Sequence, residues 1–268
     1  YTTKSKFGTS SIYINGTDHS TVEIPADDSF TFGQGAFTIE AWINWDVLED
    51  TSNNSPYINT IAYSGPGPTG NSDWSNWGGS GAASGSSGWQ LVMYTEAGYD
   101  RLAFGWNGHH FKSMAWDFPS RAIDTWYHVA IVRTALGSSG YKAFVNGTEI
   151  TTVAYDGISI NSITDAQQNI RAGGSIWLGY GPSWTGTTHD LGPNGNWFFT
   201  EPYPGGMKGA IEDFRVTKGV ARYTENFDPT TWTESFKGAS SSETTFTPDG
   251  NIYYDDGNVG FGTTAPAH

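Results

Sequence analysis

Apolar and polar residues alternate with a period of two along most of the chain. Phe37, Ile39, Ala41 and Ile43 interleave with Thr38, Glu40, Trp42 and Asn44, the pattern of a strand with one buried face. Trp89, Leu91 and Met93 interleave with Gln90, Val92 and Tyr94, and Leu102, Phe104 and Trp106 with Ala103, Gly105 and Asn107. Residues 126–133 are apolar on both faces, as in a central strand. Ala143, Phe144 and Val145 run into Asn146-Gly147 and then Thr148 to Val153. An Asn-Gly between two such runs signals a hairpin, because both turn residues take positive φ. With 176–180 and 207–216 the pattern predicts roughly a dozen short strands. Only 162–169 has the character for a turn or two of helix. The expected fold class is all-β, two stacked antiparallel sheets.

Three stretches break the rhythm. Residues 64–88 are rich in Gly, Ser and Pro yet hold Trp74 and Trp77, and residues 181–206 are similar and hold Trp184 and Trp197. Loops this long inside a compact domain are usually functional or disordered. The third break, 230–245, is centred on Ala239-Ser240-Ser241-Ser242 and reads as a linker. It leads to a tail, 246–268, with strand-like Ile252, Tyr253 and Tyr254.

Composition narrows the function classes. The 268 residues hold 13 Lys plus Arg against 27 Asp plus Glu, a formal net charge of −14. Such a chain is repelled by phosphate backbones and anionic membrane surfaces, which argues against nucleic-acid binding. No run of about 20 apolar residues exists to cross a membrane as a helix, so membrane insertion is not expected. The chain has no cysteine, which excludes disulfides, thiolate metal sites and a Cys nucleophile. Charged residues are 15% and glycines number 35. With 12 Trp, this composition suits strands joined by tight turns, and surfaces that meet sugars. The chain begins at Tyr1 without a signal-peptide pattern, so it reads as a processed piece or a fragment.

The strand residues also carry a family resemblance. Ser11 to Ile14, Val22-Glu23-Ile24 and Phe37-Thr38-Ile39-Glu40-Ala41-Trp42 resemble the opening of a laminin-G-like, concanavalin A-like jelly roll. Trp126-Tyr127-His128-Val129-Ala130 is similar to that family's central strand, Phe144 to Gly147 to its hairpin, and Gly209 to Val216 to its closing strand. Thr217 to Thr224 with Asn226-Phe227 resembles versions in bacteriophage structural proteins. Asp256 to Pro266 resembles a tail-fibre segment that precedes a trimeric chaperone region, with Phe261 where Ile is usual. The domain organisation this implies is a sandwich over 1–229, a linker over 230–245 and a fibre-type tail over 246–268.

Catalytic signatures are weak. No Gly-x-Ser-x-Gly elbow occurs, and Gly65-Pro66-Gly67-Pro68-Thr69-Gly70 lacks the helix that a dinucleotide loop must open. His128 reads as a structural histidine in a central strand, and His109 and His110, adjacent in a strand, point to opposite faces. Related jelly rolls include endo-glucanases, which need two carboxylates about 5–5.5 Å apart in one cleft. Glu212 and Asp213 are adjacent, hence expected on opposite faces, and Glu40 stands alone beside Trp42. Glu40 and Glu212 read as solvent-facing positions or as partners for Arg133 and Arg215. The resemblance also makes Ca²⁺ a candidate cofactor, with loop acids such as Asp73, Asp100, Asp156 and Asp190 as oxygen donors. Asn-Gly turn chemistry accounts for the glycosylation-like motifs at Asn15 and Asn146.

The expected function is a non-enzymatic virion structural protein on the virion surface. Its expected partners are a host surface glycan, other virion subunits and two further copies of itself in a homotrimer. Trp74, Trp77, Trp184 and Trp197 are the expected glycan platforms, because aromatic faces pack on the C–H face of a pyranose. Seven strand crossings would put their two loops at opposite ends of the sandwich; an eighth, at Ile158-Ser159-Ile160, would bring them together, and the alternation there favours eight. A purely structural decoration domain and a polysaccharide-degrading enzyme are the alternatives.

Overall fold

A computed structural model describes residues 4–16, 21–47, 57–64, 88–96, 99–106, 109–153, 168–171, 174–179, 207–236, 252–255 and 258–261. Its strands are β1 (Ile12–Asn15), β2 (Val22–Ile24), β3 (Phe37–Trp45), β4 (Tyr57–Ser64), β5 (Trp89–Glu96), β6 (Tyr99–Trp106), β7 (His109–Asp117) and β8 (Trp126–Arg133). They continue with β9 (Tyr141–Val145), β10 (Thr148–Glu149), β11 (Thr152–Val153), β12 (Ile176–Leu178), β13 (Lys208–Lys218), β14 (Ile252–Asp255) and β15 (Asn258–Phe261). A six-stranded sheet runs β1-β13-β3-β8-β9-β10 and a seven-stranded sheet runs β11-β7-β6-β5-β4-β12-β2. Every ladder is antiparallel. Among the described residues there is no α-helix, only single 3₁₀ turns. The two-sheet, all-β expectation holds.

Alternation places the core between the sheets. Phe37, Ile39, Ala41, Ile43 and Trp45 of β3 face Trp89, Leu91 and Met93 of β5 and Leu102, Phe104 and Trp106 of β6. Trp106 stacks on Tyr141 of the opposite sheet, ring centroids 5.1 Å apart, and Phe37 meets Phe104 at 5.4 Å. Each such buried side chain contributes about 1.5–3 kcal/mol over its exposed state. Trp42, Trp45, Trp89, Trp106 and Trp116 are all fully buried, so much of the tryptophan excess serves packing, not the surface.

The Asn146-Gly147 turn forms as expected, with φ of 48° and 76°. The run after it is not one strand: β10 pairs with β9 and β11 pairs with β7, so the chain changes sheets at residues 150–151. β4 has no clean alternation in sequence, because a bulge between Thr60 and Ala62 shifts its register on β5. Packing runs on past residue 229: Trp232 and Phe236 lie on Trp42, and the tail supplies the hairpin β14–β15. Residues 162–167 and 237–251 lie outside the described residues.

Register also fixes where the two long loops depart. Ser64, at the end of β4, pairs with Trp89 and with Ile176, the first residue of β12. The chain after β12 therefore leaves in the opposite direction from the chain after β4. The stems diverge, contrary to the convergence that an eighth crossing would give, because β12 lies antiparallel and adjacent to β4. Residues 158–160 themselves lie outside the described residues.

Candidate functional site

Trp74, Trp77, Trp184 and Trp197 lie outside the described residues, and the structure shows the bases from which their loops spring. The first loop leaves the Ser64–Trp89 pair, where the Gly88 N–H donates to the Arg171 carbonyl at 2.8 Å. The second is closed by Met207 N–H donating to Gly179 O at 3.2 Å, and Gly179 N–H donates to Ile61 O at 2.9 Å. Gly179 has φ of 73° and sits against Ile14, so a side chain there meets both backbone strain and a filled core.

The described chemistry concentrates on the outer face of the six-stranded sheet. Thr38, Glu40, Trp42 and Asn44 of β3 point there, and residues 4–8 and 219–236 close over them. Glu40 is fully buried. Arg215 Nε donates to its Oε1 at 2.8 Å, the Tyr223 hydroxyl donates to Oε2 at 2.7 Å, and His128 Nε2 lies 3.1 Å from Oε2. Arg222 Nε stands 3.8 Å away. Burial pushes the Glu40 carboxyl up, but Arg215, His128 and Tyr223 outweigh it and hold it at about 2. Burial lowers His128 against the opposing pull of Glu40, which leaves the ring neutral near pH 7 with Nε2–H as donor. Burial, then the Glu40 charge, raises the Tyr223 phenol. Trp42, Tyr223, Phe227, Trp232 and Phe236 ring the imidazole at centroid distances of 5.1–6.2 Å. His128 is thus a buried structural histidine, as its strand pattern indicates.

The two acids of β13 overturn the alternation argument. A bulge between Glu212 and Arg215, with Asp213 at φ 52°, interrupts the pleat. Both carboxylates consequently work on the outer face. Glu212 accepts the N–H groups of Lys6 at 2.6 Å and Phe7 at 2.7 Å, and Asp213 accepts that of Phe236 at 2.8 Å. Phe7, Trp42 and Phe236 form one cluster there. Neither Glu40 nor Glu212 is solvent-facing. Of the expected arginine partners, Arg215 pairs with Glu40, while Arg133 donates instead to the carbonyls of Gly33, Gly35 and Gln168 at 2.7–2.8 Å.

The outer face of the seven-stranded sheet is built differently. One register row crosses it as Gly105, Gln90, Tyr63, Trp177 and Glu23. A second has Ala115, Ala103 and Val92. Beyond these, Tyr99 is 62% exposed with the Arg101 guanidinium 5.2 Å from its ring, and Arg101 pairs with Asp117.

Calcium finds no fit in the described part. No three Asp, Glu or His side chains are placed there so as to hold one metal ion. Asp100, one of the expected donors, accepts from Arg121 Nη2 at 2.9 Å and from Thr95 Oγ1 at 2.8 Å. Asp73, Asp156 and Asp190 lie outside the described residues, as do the side chains of His109 and His110. Among the described residues no helix is long and apolar enough to cross a membrane.

This sandwich, with its lectin-like layering, defines the class of the protein. Residues 15–192 match the family model of the concanavalin A-like lectin/glucanases superfamily, and the chain belongs to that family. The superfamily includes both binders and enzymes. No match was found among curated proteins. Among solved structures the fold is similar to that of a candidate carbohydrate-binding protein from Bacteroides ovatus, at 17% identity and a TM-score of 0.44 over 93% of this chain and 58% of the other. It is similar to tailspike protein 2 of the Escherichia coli O157:H7 bacteriophage CAB120, at 13% identity and 0.40 over 87% and 30%. It is also similar to the binding domain of Paraclostridial Mosquitocidal Protein 1, at 12% identity and 0.42 over 83% and 42%. The chain spans under two thirds of each of these, and the likenesses concern the fold alone.

Proposed function

We propose that this chain is a non-enzymatic, glycan-binding module on a virion surface, carried on a fibre or as a decoration. The observation that carries the binding role is architectural. A two-sheet sandwich closes the bases of two long, tryptophan-bearing stretches with hydrogen bonds, while its six-stranded outer face is closed by its own aromatic segments. Contacts with a sugar then fall to the loops, where Trp74, Trp77, Trp184 and Trp197 offer ring faces and nearby Asn, Ser and Asp read hydroxyls. The chain enters these two stretches in opposite directions, from Ser64 and from Gly179.

The non-enzymatic reading is supported by the state of Glu40, Glu212 and Asp213. One is held by an arginine and a histidine, and the others are occupied by backbone N–H groups. The virion setting rests on the sequence resemblance of 217–227 and 256–266. With it come neighbouring virion subunits and a homotrimer held partly by 246–268. The hairpin β14–β15 packs against β13 of its own chain, so the trimer rests on the sequence resemblance of 256–266.

The test is glycan-array binding by the wild type and by Trp74→Ala, Trp184→Ala and the double variant, each with its melting temperature. Lost binding with unchanged melting is expected. Melting drops of several degrees without a binding phenotype would assign the tryptophans to packing. Reducing-sugar release from bulk polysaccharide would replace the proposal with an enzyme, and a monomeric mass by sedimentation would remove the trimer.

A further inference from the structure

The bulge of β13 gathers more negative charge than the cations around it can serve. Glu212 and Asp213 are consecutive, and both are fully buried. Glu212 spreads its two oxygens over consecutive N–H groups, Oε2 for Lys6 and Oε1 for Phe7. Asp213 takes the Phe236 N–H through Oδ2 and is also bonded by Ser235. One bulge therefore seats two segments over 200 residues apart in sequence. The charges facing it are few. Arg215 is committed to Glu40 at 2.7 Å, and Arg222 lies 3.8 Å from the same carboxylate oxygen. The Lys6 ammonium sits over the Trp42 ring, 4.2 Å from its centroid. Glu40 adds a third negative charge, His128 and Tyr223 are neutral near pH 7, and Glu234 is exposed.

We propose that the Glu212–Asp213 bulge is a proton-operated clasp. It seats residues 4–8 and 232–236 on the six-stranded sheet while the pair carries at least one proton, and it lets both lift as the pair ionises fully. Water is the alternative partner. Lifting either segment hydrates a carboxylate whose nearest cation, Lys6 for Glu212 and Arg215 for Asp213, offsets its burial only in part, so ionisation favours the opened form. The geometry agrees with the proton affinities. Burial raises Glu212 to about 7, its backbone donors only partly offsetting this, and Asp213 adds to the rise by its charge. Burial likewise raises Asp213 to about 7. With folded values above the unfolded 4.5 and 3.8, the stabilisation from these groups is full below about pH 4 and is lost as pH rises through 7. A clasp of this kind closes on the acid side of neutrality, opposite to an ordinary salt bridge, and opening it uncovers the aromatic layer around Trp42.

The experiment compares the wild type with Glu212→Gln, Asp213→Asn and the double variant between pH 5.5 and 8.5. It follows melting temperature and hydrogen exchange at residues 4–8 and 232–236, corrected for the intrinsic rate. In the wild type, melting is expected to fall by several degrees over this window. Protection in the two segments should drop about tenfold or more while β3 and β8 stay protected. The double variant, whose amides mimic the protonated pair, should lose most of that slope. A flat wild-type profile, or a slope that survives in the double variant, overturns the proposal. If the variants do not fold, the carboxyl carbon shifts of wild-type Glu212 and Asp213 decide: titration near pH 7 sustains the clasp, and titration near pH 4 ends it.

Discussion

The two sheets of this sandwich present opposite outer faces. On the six-stranded sheet the outer face is an interior: a buried carboxylate, a neutral imidazole and a layer of aromatic rings, sealed by segments from both ends of the domain. On the seven-stranded sheet it is floored by Ala103, Gly105 and Ala115 and set with single aromatic and polar groups such as Trp177, Gln90 and Tyr99. The same alternation produces both, since every second residue of a strand must point away from the core. What differs is what arrives to cover it. A domain that buries charge outside its main core commits that face to holding itself together and leaves contacts with other molecules to the remaining surface.

The contrast is broken most forcefully at Glu40. Glu40→Ala strands Arg215 and leaves His128 and Tyr223 without their acceptor. Removing one member of a buried ion pair costs about 3–5 kcal/mol. At about 2–4 °C per kcal/mol for a domain of this size, a melting curve should drop by roughly 6–20 °C. A loss under 2 °C would show that the face is not an interior at all. Acid titration probes the same group without a mutation. Held at about 2 when folded against 4.5 unfolded, Glu40 gives stability that is complete above about pH 4.5 and lost as pH falls through 2. By linkage this amounts to about 3 kcal/mol. His128, lowered beneath 6.5 by burial, gives stability that fades as pH falls below that value. Glu40→Gln should flatten the lower part of this acid limb, and an unchanged limb would mean that other carboxylates carry it.

Smaller effects sharpen the comparison. Gly147 has φ of 76° and a Cβ there would overlap the Phe227 carbonyl, so Gly147→Ala strains the turn and pushes residues 219–236 off the sheet. A cost of about 1–3 kcal/mol is expected, measured by chemical denaturation. Smallest of all is Tyr99→Ala on the other sheet. An exposed ring whose neighbour Arg101 keeps its Asp117 partner should change stability by at most about 0.5 kcal/mol. A larger loss would erase the distinction between the two faces.

Local signals carried the fold further than they carried the site. β3, β5 and β6 announce themselves by alternation, β8 by a run apolar on both faces, and Asn146-Gly147 by turn chemistry, because each is decided by neighbours in sequence. β4 escapes that reading because its bulge puts Thr60 and Ala62 out of phase, and the strand at 148–153 because it changes sheets midway. The charge cluster was harder. Glu40, His128, Arg215 and Tyr223 are far apart in sequence, and nothing local says that residues 219–236 fold back over them. Adjacent Glu212 and Asp213 misled for a specific reason: the rule that neighbours face apart holds for a regular pleat, and Asp213 leaves it at φ 52°. Nothing in its flanking residues, with no Gly or Asn beside it, advertises that turn of the backbone.

The hydrogen-bonded bases at Ser64–Trp89 and Gly179–Met207 bear on how such a protein changes over generations. With its ends bolted to the scaffold, an insert contributes to folding mainly through ring closure, and doubling its length costs only about 0.6 kcal/mol. The sandwich is then a chassis that meets changes of length between these bolts at little entropic cost.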